Sequence, residues 1–151
     1  MFKLEKILGV LAVIGIILQL AFIPGAGIVM VLSVTTLALL YYFLGFALFN
    51  RIGFKEIFKQ ESYKDISTQR IIGSIGAGWA ISLICLGILF KLQHFPGSKI
   101  LLIVGLIATL LVLAIALTEY KKTKEEFYIG LFGRIAVIST IGLLTIVISV
   151  M

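Results

Sequence analysis

The chain has 151 residues, of which 61% are hydrophobic and 13% charged, and it carries a net charge of +6. Soluble domains average roughly 45–50% apolar and about 25% charged residues, so a water-exposed fold of this length could not hide so much apolar surface, whereas a bilayer accommodates it. The charge makes no case for nucleic acid as a partner, because the basic residues gather between the apolar runs.

A membrane-crossing helix takes about 20 apolar residues to pass roughly 30 Å of hydrocarbon. No charge occurs between Lys6 and Arg51, which leaves room for two crossings, predicted over 4–23 and 27–50 with a turn at Pro24-Gly25. Lys3 and Lys6 ahead of an apolar stretch resemble the start of a signal peptide. The stretch is too long, lacks an A-x-A-like cleavage site and leads straight into a second span, so an uncleaved first helix is expected.

The segment 51–69 is basic. Phe54, Ile57 and Phe58 are spaced to share one helical face, with Lys55, Lys59 and Glu61 elsewhere. That pattern predicts a short helix lying in the interface, held by apolar burial and by anionic lipid. The third helix is predicted over 70–93, with Ser67 as its N-cap. Gly73 with Ala77, and Ser74 with Gly78, form small-xxx-small pairs suited to close helix contact. Cys85, the lone cysteine, falls inside this helix and reads as a small packing residue. A fourth helix is predicted over 98–119. The fifth begins between 127 and 134 and runs to 151.

The two prolines of the chain stand 72 positions apart, each followed by glycine. Around them Gly15, Leu20, Pro24, Gly25 and Ile28 correspond to Gly87, Leu92, Pro96, Gly97 and Ile100. Proline ends a helix and glycine reaches backbone angles closed to other residues, so both pairs are expected as hairpin tips. The expected fold is therefore all-α. It is a polytopic membrane protein of five transmembrane helices, with two duplicated Pro-Gly-tipped hairpins and a C-terminal helix. One membrane domain spans 1–151, divided into repeat 1 (4–50), linker (51–69), repeat 2 (70–119) and final helix (127–151). Ile141-Gly142-Leu143 echoes the middle of each hairpin's first helix, as a partial third copy would.

Lysine and arginine favour the cytoplasmic side of a membrane protein. Lys3 and Lys6, the segment with Arg51, Lys55, Lys59, Lys64 and Arg70, and the segment with Lys121, Lys122, Lys124 and Arg134 fall on one side if five helices start from a cytoplasmic N-terminus. The expected location is a bacterial inner membrane, multi-pass, with the C-terminus and both tips on the periplasmic side.

The catalytic inventory is nearly empty. With one histidine, one cysteine and no acid in the middle of a predicted span, neither a metal cluster nor a Ser-His-Asp arrangement can be assembled. No enzyme, cofactor or metal is expected. The most distinctive polar cluster is Lys91, Gln93 and His94 at the second tip. Lys91 and His94, three apart, would share a helical face. Cations are also favoured at a helix C-terminus by the dipole, and lysine snorkels to the interface. The cluster is thus either an ion- or partner-binding site or an ordinary interfacial end. Gln19, the counterpart of Lys91, and Thr109 complete the polar candidates, and Ser33, Thr35, Thr36 and Ser82 would line any transport path between the hairpins.

The stretch Gly87-Ile88-Leu89-Phe90-Lys91-Leu92-Gln93-His94-Phe95-Pro96-Gly97, followed by Leu101-Leu102-Ile103-Val104-Gly105-Leu106-Ile107, resembles the membrane hairpin of GldL. GldL is the gliding-motility and type IX secretion motor protein of Bacteroidota. The resemblance covers roughly helices 3 and 4. It implies roles for Lys91 and His94 in proton-driven rotation, together with a glutamate of the second helix. Here Thr109 follows Gly105-Leu106-Ile107-Ala108, and helix 4 has no acid before Glu119. Three readings follow. The leading one is an accessory or structural subunit of a larger membrane complex, with lipid and other membrane subunits or its own copies as partners. The others are an ion- or proton-coupled channel or motor element, and a small transporter.

Overall fold

The computed structural model describes residues 1–148 and builds them from α-helices, with no strand among the described residues. The five helices are α1 (Phe2–Leu20), α2 (Ala26–Phe49), α3 (Thr68–Leu92), α4 (Ser98–Thr123) and α5 (Glu126–Ile148). Residues 149–151, expected to end the fifth helix, lie outside the described residues.

The length and apolarity of α2, α3, α4 and α5 suffice to cross a bilayer. Lys3, Glu5 and Lys6 occupy the start of α1 and leave residues 7–20 uncharged. That run rises only about 21 Å. The first helix is also the shortest of the five, with 19 residues against 23 to 26 in the others.

Both Pro-Gly pairs are hairpin tips with the same backbone geometry. Phe22 and His94 take left-handed angles (φ 55° and 58°), as do Gly25 and Gly97 (φ 85° and 84°). After each helix end the chain turns back in a Schellman arrangement. The Ile23 amide donates to the Leu18 carbonyl at 3.1 Å, and the Phe95 amide to the Phe90 carbonyl at 2.7 Å. Packing inside the hairpins corresponds as well. A Cβ on Gly15 would lie 2.9 Å from the backbone of Met30, and one on Gly87 would lie 2.9 Å from the Leu102 amide nitrogen. Met30 and Leu102 are themselves 72 positions apart.

α2 and α3 cross where two glycines meet. A Cβ on Gly45 would stand 2.8 Å from the Gly78 Cα, and one on Gly78 would strike the Tyr41 carbonyl. Of the expected small-residue contacts, Ser74, Ala77 and Gly78 are buried, whereas Gly73 has open space where a side chain would go. α3 is central, packed on α2 and α4, with α5 laid against α3 and α4 and α1 against α2.

The 50–67 connection differs from expectation. It forms two short 3₁₀ turns, Phe54–Glu56 and Gln60–Tyr63, rather than one amphipathic helix. Lys59 is extended (φ −94°, ψ 119°), and the Tyr63 hydroxyl donates to the Ile57 carbonyl at 2.7 Å, so the local bonds run to side chains and a helix does not propagate. Phe54 and Phe58 are left exposed. Asn50 anchors the start of the loop, its amide donating to the Phe46 carbonyl (2.7 Å) and the Ser74 hydroxyl (3.0 Å). Ser67 caps α3 as expected, accepting from the Arg70 amide at 3.3 Å. α4 runs one turn past its expected end, carrying Lys121 and Lys122 where the helix dipole favours cations. Left-handed Lys124 (φ 53°) then stops it, so only two residues separate α4 from α5.

Candidate functional site

The polar centre of the molecule joins the first helix to the last. Glu5 Oε1 accepts from Arg134 Nε at 2.6 Å and from the Tyr41 hydroxyl at 2.7 Å, and Glu5 Oε2 accepts from Arg134 Nη2 at 2.9 Å. This is a bidentate arginine–carboxylate pair, the geometry that gives the strongest charge-assisted bonds. Arg134 Nη1 also donates to the Gly130 carbonyl, and its guanidinium lies 5.5 Å from the centroid of the Phe49 ring. Phe49 stacks on Tyr41 in turn, so one aromatic ring flanks both the arginine and the tyrosine.

The depth of this cluster follows from helix register. Tyr41 lies eight residues before the end of α2, and Arg134 eight residues after the start of α5. At about 1.5 Å per residue both sit roughly 12 Å inside the loop end of the bundle. The close approach of Gly15 to Met30 sets α1 against α2 and brings Glu5 level with Tyr41. Ionisable groups at such depth are costly in lipid and persist when paired, as these are.

Beside the pair runs a groove of about 700 Å³ between α1 and α5, floored by α2 and α3. Val10 and Val13 form one wall, Val137 and Ile141 the other, and Leu37 and Ile88 lie at its base. Gly9 and Gly133 widen it. Glu5, Lys6 and Arg134 stand at its loop end.

The second tip gathers only some of the polar residues singled out from sequence. α3 ends at Leu92, so His94 leaves the helix, exposed and left-handed, and does not share a helical face with half-buried Lys91. Gln19 and Gln93 do converge across the two hairpins. A Cβ on Gly27 would lie 3.2 Å from Gln93 Nε2 and 3.4 Å from Gln19 Oε1. Thr109 is buried, its hydroxyl donates to the Leu106 carbonyl at 2.8 Å, and it lies about 16 Å along α4 from the tip. Pro24, Gly25, Pro96 and Gly97 are exposed at the tips.

The Glu5–Tyr41–Arg134 cluster was not among the sequence candidates. By sequence Arg134 reads as a loop cation, and Glu5 stands between Lys3 and Lys6 with no role assigned to it. The usable signal was the apolar run that continues through Arg134 from 127 onward.

Fold and ion pair together define a multi-pass helical membrane protein with a paired charge inside its bundle. Residues 74–131 match the family model of the GldL N-terminal domain. The match takes in most of α3, all of α4 and the first turn of α5, so this hairpin is GldL-like; Glu5, Tyr41 and Arg134 lie outside it. No curated protein and no solved structure matches the chain.

Proposed function

We propose that the chain is a membrane subunit of a gliding or type IX secretion assembly in an inner membrane, with a structural or accessory role and no enzymatic one. The observation that carries this reading is the GldL-like hairpin at 74–131. Support also comes from α4, the outer hairpin helix, which presents Ile103, Ile107, Leu110, Leu111 and Ile115 on exposed positions. The basic segments orient the N-terminus and long loop to the cytoplasm and both Pro-Gly tips to the opposite side. The correspondence of the two tips and of their glycine contacts supports a duplicated hairpin. Deleting the chain from cells that carry it should reduce surface gliding and export of type IX cargo together. Normal motility with normal export would overturn the assignment.

A second reading, an ion-coupled element, is favoured by one observation. The family hairpin implies an acid within its second helix; α4 has none before Glu119 near its loop end, and α1 supplies an acid at Glu5 inside the bundle instead. In this reading Glu5 and Arg134, rather than Lys91 and His94, are the groups that respond to the ion. Glu5→Gln should then abolish ion-dependent motility or export while the protein still assembles in the membrane. Full activity of Glu5→Gln would remove this reading and leave the first intact.

A further inference from the structure

We propose that the groove between α1 and α5 is a binding site for one anionic phospholipid. The groove is concave, about 700 Å³, and opens outward between α1 and α5 with walls that are almost wholly apolar. Its loop end is basic. Lys6 lines the mouth and Lys3 sits one turn nearer the loop end on the same helical face, both exposed. The acid beside them is already spent, since both oxygens of Glu5 accept from Arg134 and Oε1 also accepts from Tyr41. Among the described residues neither lysine forms a salt bridge.

Depth makes this arrangement useful. α1 starts well inside the loop ends of α2 and α5, so the two lysines climb from the groove towards the headgroup level. Their stems can lie along apolar surface while the ammonium groups reach upward. A phosphate held by Lys3 and Lys6 would place an acyl chain beside Gly9 and Gly133 and then between Val13 and Val137. Basic pockets between transmembrane helices are the usual form of an anionic headgroup site. The same charges argue against a second copy of this chain as occupant, because it would bring the same unpaired lysines to the mouth.

The test is native mass spectrometry of the detergent-purified protein offered phosphatidylglycerol and phosphatidylcholine in equal amounts. The wild type should retain one phosphatidylglycerol in preference. A Lys3→Gln, Lys6→Gln double variant should bind it roughly 25-fold more weakly, about fivefold per lysine, with phosphatidylcholine unchanged. Val137→Trp, at an exposed groove position, should lose both lipids, while Leu110→Trp on the outer side of α4 should lose neither. Equal retention of the two lipids by the wild type, or wild-type retention by Val137→Trp, would overturn the proposal. So would a cross-link in native membranes from Val137→Cys to a protein helix, which would give the groove to a partner.

Discussion

Glu5 and Arg134 stand 129 positions apart and form the shortest ion pair among the described residues. Each charge is costly at that depth without its partner, and the pair fastens α1 to α5 across the groove that separates them. Removing one member of a fully buried pair costs about 3–5 kcal/mol, and this part-buried pair should show a smaller but clear loss. Arg134→Ala or Glu5→Ala should therefore lower the midpoint of thermal unfolding in detergent. Replacing both with leucine should restore stability to near or above wild type, since well-packed apolar groups often equal a buried ion pair. A double variant as unstable as the singles would contradict this account of the pair. The sequence places both residues next to apolar runs but not next to each other. Their meeting depends on the Gly15–Met30 register, which sets how deep α1 begins, and periodicity carries no information about depth.

Helices and tips were the legible part. Proline and glycine mark both turns because each removes an alternative that other residues keep open, and the structure turns there with matched angles. The 51–69 segment was misread because a shared apolar face says nothing of competing side-chain bonds, here the one from Tyr63 to the Ile57 carbonyl. Small residues were half legible. Two glycines of one helix separate the cases: Gly78 touches α2, and Gly73 touches nothing. Gly78→Val should force α2 and α3 apart and cost about 1–3 kcal/mol, as overpacking does. Gly73→Ala should be neutral or stabilising by up to about 1 kcal/mol, since alanine is the better helix former. Thermal unfolding of the two variants side by side measures the difference, and equal effects would contradict the observed crossing.

Across the whole molecule, two tip-linked hairpins and a fifth helix share one bundle. Only the second hairpin and the first turn of α5 fall in the matched region. The clasp between α1 and α5 lies outside it, so the GldL-like part is held in a setting of this chain's own. Lys91 and His94, the polar cluster singled out from the sequence, sit at the tip end, while the paired charges sit towards the loop end. A chain with the proposed subunit role should leave the membrane in company. The most direct measurement is gentle extraction from native membranes, with the native mass determined and every co-purifying protein identified. The account predicts a stoichiometric complex with other membrane proteins of the gliding or secretion machinery. A lone monomer or a homo-oligomer, extracted under conditions that keep other membrane complexes whole, would contradict it.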